Sequence, residues 1–484
     1  IAVFCPSMSR LLLVVSFVCF GCVHALAQKP AVPLDFSVER GSRFRQILKH
    51  DNGVAVIYGR SDWFFYTSRL TLNIHDTAGG LLRQRKLNLL ANGQPAYLVH
   101  AFSAPDALLF LCAVPFKDRS DNGLCVLRYE PTTEKLAVSI GVKEHDALPD
   151  GWLLNGETQV VFSADSSQAV VCIFSPALPG RQPQVTALSF DVRAPNRHRL
   201  ITAPLPNHGS RYEIKQTLVD NDGSVYLLGK RYVNGAAEIK DNAANYHYTL
   251  HRLENTEAKF LCTFPADGHI PRSFAGAIRE NMFTGHGLLT DTALADHDSL
   301  YTVMARLEDC MSTVVRITPL NGGGAADTSF ANNTFVSHSF QTSDGLVTAF
   351  ERQRVSYAES ARAGGGFAFE RGNALVVLSG SGTEEMRMFT HVKYQRFNEL
   401  PASSLSVFNH NGFLYAAYAE YSEAYNRFSK LHVVNLMSSL ETTVNLHHVD
   451  WQKEDPYYLL KVGNTLVLMQ PHMRNYSLFR ILLP

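Results

Sequence analysis

Leu218-Val219-Asp220-Asn221-Asp222-Gly223-Ser224-Val225-Tyr226-Leu227-Leu228-Gly229 reads as an apolar edge, a polar turn and a second apolar run. Asp-Gly tolerates the positive φ angles that a tight hairpin needs. The flanking residues are β-branched, aromatic or aliphatic, as strands prefer. The same unit recurs along the chain, and this recurrence decides the fold.

Its relatives run from Asp51-Asn52-Gly53 through Pro105-Asp106, Asp165-Ser166, Asp296-His297-Asp298, Ser343-Asp344-Gly345 and Asn411-Gly412 to Gly463-Asn464. Each precedes a short apolar run, such as Val54-Ala55-Val56-Ile57-Tyr58 or Leu108-Leu109-Phe110-Leu111-Cys112. With the opening stretch there are eight such turns, one every ~59 residues, a period that points to a propeller or a solenoid. Two further strands follow in the first, fourth and seventh units, as at 246–252 and 259–264 in the fourth. Four short strands per unit make a propeller blade. The second strands are apolar on successive residues, so both of their faces are buried, as when blades stack face to face. No helical periodicity of useful length appears, and Pro and Gly punctuate throughout. The expected fold is all-β: a single β-propeller of eight four-stranded blades, seven being the alternative count.

The eighth unit has only three strands, at 457–461, 465–469 and 477–482. A strand at 34–39 is expected to supply the fourth and close the ring, removing two exposed sheet edges. Long connections at 231–245, 268–290, 322–334 and 356–366 read as surface loops. No linker divides the ring, so residues 28–484 are expected to form one domain.

Residues 1–27 read as an upstream piece and a signal peptide. Met8 is a natural start, Arg10 precedes an apolar run over 11–20, and Ala25-Leu26-Ala27 suits cleavage before Gln28. The run is too short to span a bilayer. Cys22 raises a lipoprotein anchor as the alternative, but Cys19-Phe20-Gly21 fits a lipobox poorly. The expectation is an exported protein, periplasmic or extracellular, monomeric and without a membrane span.

The chain carries 44 basic and 44 acidic side chains. A zero balance gives no case for a nucleic-acid partner, which needs clustered positive charge. Beyond the leader, Cys112, Cys125, Cys172, Cys262 and Cys310 remain, without Cys-x-x-Cys metal spacing. They read first as small buried hydrophobes; Cys112 and Cys125 could also face each other across one hairpin.

Asn409-His410-Asn411-Gly412-Phe413-Leu414-Tyr415 and Asp220-Asn221-Asp222-Gly223-Ser224-Val225-Tyr226 resemble the units of secreted bacterial β-propeller proteins of unknown function. The resemblance is one of turns and strands over most of the chain. It implies fold and export and brings no catalytic residues. Trp63, Trp152 and Trp451 are too few for a repeat built on one Trp per blade.

There is no Gly-x-Ser-x-Gly elbow and no His-Glu-x-x-His helix. Asp296-His297-Asp298 has metal-compatible side chains but sits where every other unit has a turn. His247 and His251 share a strand face roughly 13 Å apart, too far for one metal ion. No cofactor or metal is therefore expected. The usable signal is aromatic: Trp63, Tyr66, Tyr232, Tyr246, Tyr421 and Tyr425 fall at or near connections between second and third strands. In a ring those connections share one rim, and exposed aromatics with polar tips favour binding; packing between blades is the competing reading. The functional expectation is a binding or scaffolding module for a glycan or polypeptide ligand. The alternative is a secreted glycan hydrolase or lyase using carboxylates and His at the mouth of the central channel. Propeller active sites can draw residues from several blades, so a linear motif is not required.

Overall fold

The computed structural model describes residues 34–51, 53–60, 67–115, 122–141, 157–175, 183–206, 211–235, 237–240, 243–264, 269–290, 299–310, 312–319, 334–342, 345–358, 366–379, 384–389, 394–397, 405–422, 427–438, 440–446, 457–471 and 475–483. None of them is helical. Their strands form eight four-stranded antiparallel blades. Blade 1 comprises Ser42–His50, Gly53–Arg60, Arg69–Asp76 and Leu81–Asn88. Blade 2 runs through Tyr97–Ala104, Ala107–Pro115, Asn122–Glu130 and Lys135–Ile140, and blade 3 through Glu157–Phe162, Gln168–Ser175, Gln184–Asp191 and His198–Pro204. Blade 4 has Tyr212–Val219, Val225–Tyr232, Tyr246–Glu254 and Glu257–Phe264; blade 5 has Ile270–Arg279, Met282–Thr290, Ser299–Arg306 and Ser312–Pro319. Blade 6 (Thr334–Gln341, Leu346–Ala358, Gly366–Ser379, Glu384–Phe389) precedes blade 7 (Leu405–His410, Phe413–Ser422, Arg427–Asn435, Glu441–Asn445). In blade 8, Tyr458–Val462, Thr465–Pro471 and Asn475–Leu482 are joined by Leu34–Ser37.

The opening stretch shows why the turns recur. Gly223 takes φ +82 and its N–H donates to Asp220 O at 2.9 Å. The Asp222 carboxylate accepts from Ser224 N at 2.7 Å and Ser224 Oγ at 3.0 Å. Asp51, Asp106, Ser166 and Asn411 take positive φ in the equivalent turns, which short polar side chains tolerate best.

The ring is held by eight apolar clusters, one at each blade interface. Both faces of the second strands feed them: Val54, Ala55, Val56, Ile57 and Tyr58 are all buried, with Val56 packed towards blade 8 and Ile57 towards blade 2. The first strands pack side by side from blade 3 round to blade 8 and on to blades 1 and 2. They surround the channel.

Closure follows the expected deficit. Leu34–Ser37 pairs antiparallel with the last strand, Leu34 opposite Leu478 and Ser37 opposite Asn475. Phe36 stacks on Tyr476 at 5.2 Å and meets the edge of His75 at 4.4 Å. Tyr476 OH receives Asn73 Nδ2 at 2.9 Å and lies 2.6 Å from His75 Nε2. Blade 8 is thus bonded to blade 1 through one buried hydroxyl.

Three expectations are corrected. The connection at 268–290 is not a loop: Ile270–Arg279 and Met282–Thr290 are the first and second strands of blade 5, turning at Glu280-Asn281, both at positive φ, so the apolar run at 300–304 lies in the third strand and not the second. The connection at 356–366 is not all loop: the second and third strands of blade 6 run to Ala358 and resume at Gly366, paired throughout. A short strand, Tyr394–Phe397, pairs with the far part of this arm. The five cysteines are not all unpaired hydrophobes. Cys262 and Cys310 form a disulfide, Cα atoms 5.5 Å apart, between the outer strand of blade 4 and the turn after the third strand of blade 5. They are 48 residues apart in sequence, and only blade packing brings them together. Cys112, Cys125 and Cys172 are free and buried, Cys112 directly opposite Cys125 across a hairpin.

Buried histidines give the fold a pH dependence. Burial lowers His75 from 6.5 to about 4 and His286 to about 3. His286 sits 2.9 Å from Thr348 Oγ1 at the interface of blades 5 and 6. Unfolding lets these rings bind protons that the native state refuses. Their contribution is fully present above pH 6.5 and is lost as pH falls towards 4, at up to about 1.4 kcal/mol per pH unit and histidine. The melting temperature should fall over this window, and less steeply in a His75→Gln/His286→Gln variant. Parallel curves for parent and variant would remove the histidines as the cause.

Candidate functional site

Five of the first strands carry a β-bulge at the same place: between Phe44 and Gln46, Leu98 and His100, Ile214 and Gln216, Pro271 and Ser273, and Val336 and His338. A bulge re-aims the side chains beside it. In three of them the residue after it reaches across to the next blade. Gln46 clips Ala101, donating to its O at 2.7 Å and accepting from its N at 2.9 Å. Gln216 clips Gly276 likewise, at 3.0 and 2.9 Å. His338 Nε2 lies 2.6 Å from Leu405 O. The skipped residues include the cations Lys215 and Arg272 in adjacent blades.

Around them, where blade 4 begins its first strand and passes from second to third, charged and phenolic groups converge. Glu213 stands opposite Lys230, and Lys230 opposite Tyr248, in the ladder. Lys230 is 3% exposed. Its ammonium donates to Glu238 at 2.6 Å and lies over the Tyr246 ring at 4.2 Å. Tyr232 OH donates to Glu213 at 2.9 Å and reaches Glu238 at 3.5 Å. Lys215 also donates to Glu213, and Arg272 Nη1 lies 3.7 Å from Glu238. Tyr246 OH donates to Pro271 O at 2.7 Å, fixing its ring against blade 5. The connection carrying Glu238 is pinned by Asn245, whose amide bonds Ala237 O at 2.8 Å and receives Asn234 N at 3.1 Å.

These partners set the ionisation. Against the effect of burial, the bond and charge of Lys215, with the Tyr232 hydroxyl, hold Glu213 below the ordinary carboxyl range. Lys230, Lys215 and Arg272 do the same for Glu238, again against burial. Burial raises the phenols of Tyr232, Tyr246 and Tyr248 and lowers Lys230. The outer members stay reachable by solvent: side-chain exposures are 34% for Glu213, 31% for Lys215 and 41% for Glu238. The site thus offers two ionised acceptors and the cations of Lys215 and Arg272 on a rigid, tyrosine-backed wall. Neither carboxylate is poised to give up a proton.

The aromatic expectation needs correction here. Tyr232 and Tyr246 are 2% and 1% exposed and belong to the core between blades 4 and 5. They position the charged groups and cannot stack on a ligand. Tyr246 is tied to Pro271 of blade 5 through its hydroxyl, Tyr232 packs on Tyr246, and the adjacent Tyr248 meets Phe274. Tyr421 lies in the second strand of blade 7, opposite Phe428; its side chain, and Trp63, Tyr66 and Tyr425, lie outside the described residues, as do Asp296-His297-Asp298 and the leader. Sequence reading passed over Glu213, Lys215, Lys230, Glu238 and Arg272. A signal was present: Lys230-Arg231 ends a strand that is otherwise apolar. Among the described residues no group of three or more His, Cys, Asp or Glu could hold a metal ion.

No protein-family model matches the chain, and no curated protein matches it. Solved structures of similar architecture include the WD40 domain of SCAP from fission yeast, at 8% identity and TM-score 0.42, covering 93% of this chain and 98% of that one. Another is the β-propeller domain of the Trilobed protease from Pyrococcus furiosus, at 9% identity and TM-score 0.36, covering 86% and 98%. The polysaccharide lyase Uly1 aligns at 10% identity and TM-score 0.37, covering 78% and 88%.

Proposed function

We propose that this propeller is an exported binding module that holds a glycan or polypeptide at the blade 4–5 end of the channel. The observation that carries it is the pair of part-exposed carboxylates, Glu213 and Glu238, fixed by Lys230 and Tyr232 beside two bulge cations. Ionised carboxylates accept from sugar hydroxyls or peptide N–H groups, and Lys215 and Arg272 donate. The wall is already ordered, so a ligand loses little to rearrangement. The Cys262–Cys310 disulfide supports the export reading, since such bonds persist in oxidising compartments. A hydrolase that used one of these carboxylates as its proton donor would need it protonated, and both are held below the ordinary carboxyl range, which supports the binding reading over that one. No metal or organic cofactor is invoked.

The test uses oligosaccharide and peptide arrays with the full chain. For the strongest ligand found, Lys215→Ala/Glu238→Gln should weaken binding at least about tenfold, as loss of charged contacts does. Release of products from an arrayed oligosaccharide would favour the enzyme reading instead. Absence of binding on both arrays, or unchanged affinity in the variant, would overturn the proposal.

A further inference from the structure

A cavity of about 600 Å³ opens at the opposite end of the ring, among the first-strand ends of blades 1 and 2 and the turns of blade 3. Antiparallel blades put turns between first and second strands at one end and the second-to-third connections at the other. This cavity is therefore remote from the site above and independent of its reading.

Three features mark it. Phe162 closes the first strand of blade 3 with 40% of its surface exposed, its ring 5.8 Å from that of buried Phe102. Lys49 and Arg193 also line the cavity. Among the described residues neither side chain makes an ion pair. Beside Lys49 stands Lys461, at the same rung of its own hairpin in blade 8: Lys49 pairs with Val54, Lys461 with Leu466, each one step before the turn. Ring closure sets these two first strands side by side. Burial, and then the charge of Lys49, lower Lys461, and among the described residues no carboxylate offsets them.

The cavity also contains carboxylates, and both are engaged locally. Asp165 accepts from Ser163 Oγ at 2.7 Å, Ser167 Oγ at 2.8 Å and Ser167 N at 3.0 Å. Asp51 lies 3.3 Å from His50 Nε2. The floor is uncharged and polar: Gln46 is locked on Ala101, and its Nε2 lies 3.2 Å from Nε2 of His100, which burial lowers. An exposed aromatic face beside uncommitted cations suits a ligand with a flat apolar side and an anionic substituent.

We propose that this cavity is a second binding site, for an acidic glycan, with a uronate ring against Phe162 and its carboxylate held by Lys49, Lys461 and Arg193. Sugar rings present C–H faces that pack on aromatic rings, and a carboxylate set among cations that no carboxylate of the described residues engages gains charge-assisted hydrogen bonds.

The test is calorimetric titration of the full chain with oligogalacturonate, oligomannuronate and oligoglucuronate, with cello-oligosaccharide as the neutral control. At least one uronate should bind, more weakly as salt rises towards about 0.5 M, and the neutral oligomer should not. Lys49→Ala/Lys461→Ala and Phe162→Ala should each lower that affinity roughly tenfold, with melting curves unchanged for the lysine variant. Lys215→Ala/Glu238→Gln, at the other end, should leave uronate binding intact. Failure of all three uronates, equal binding of the neutral oligomer, or full affinity in the lysine variant would overturn the proposal. A sulfated oligosaccharide binding where every uronate fails would likewise reject the carboxylate assignment.

Discussion

A chain lacking Leu34–Ser37 should melt far below the parent. Those four residues form the outer strand of blade 8. Removing them exposes the edge of Asn475–Leu482 to water and to other chains. It also strips Phe36 from Tyr476 and His75, and Asp35 from Ser477 Oγ at 2.5 Å. Aromatic pairs contribute about 0.5–1.5 kcal/mol each beyond their burial, and deleting a large apolar side chain costs about 3–5 kcal/mol when it is fully buried. Phe36 is only partly buried, so a total loss of at least about 3 kcal/mol is expected. Its consequences spread, because Tyr476 is the group that Asn73 and His75 of blade 1 bond to. Phe36→Ala alone should reproduce roughly half of the loss, and Asp35→Ala much less. The measurement is thermal and urea unfolding of the three variants. A deletion variant with an unchanged melting curve would show that the ring holds without its N-terminal strand.

Gly276→Val should be the most damaging single substitution near the candidate site. A Cβ at Gly276 would lie 2.5 Å from Thr284 O and 2.6 Å from two atoms of the Phe283 ring. The Phe283 ring is confined: it stacks on Phe264 at 4.7 Å and packs against Phe274. The glycine is also the residue that Gln216 clips from blade 4, so any shift breaks both amide bonds. Overpacking of this kind costs about 1–3 kcal/mol, and stranding buried amide groups a further 1–3. Gln216→Leu separates the two effects, since it removes the clip without a clash. We expect unfolding free energies to fall in the order parent, Gln216→Leu, Gly276→Val. If Gly276→Val unfolds with the parent, blades 4 and 5 are not held together through this contact.

Much of this architecture was legible in one dimension. Turn chemistry is local: Asp222-Gly223 and Asn411-Gly412 specify their own φ angles, so their recurrence could be counted before any coordinates existed. Unbroken apolar second strands said that both of their faces are covered, and the missing strand of the last unit said what closes the ring. All three inferences rest on neighbours in sequence or on a period; the blades agree with them except blade 5, whose first hairpin turns at Glu280-Asn281 and whose second strand is Met282–Thr290, not the run at 300–304.

What the tertiary structure decided depends on contacts between blades, and no local rule encodes those. Tyr232 and Tyr246 sit at a connection, where aromatic residues can face water, yet both are buried in the core between blades 4 and 5, Tyr246 bonded to Pro271 O and Tyr232 packed on Tyr246. Cys262 finds Cys310 only because blade 4 abuts blade 5. Glu213, Lys215, Lys230, Glu238 and Arg272 become one network because bulges turn two first strands and Asn245 folds a connection back over them. Lys49 and Lys461 stand more than four hundred residues apart in sequence, and they become neighbours only when the ring closes. Closure joins the two ends of the repeat in space, and that contact lies beyond the reach of any periodic pattern.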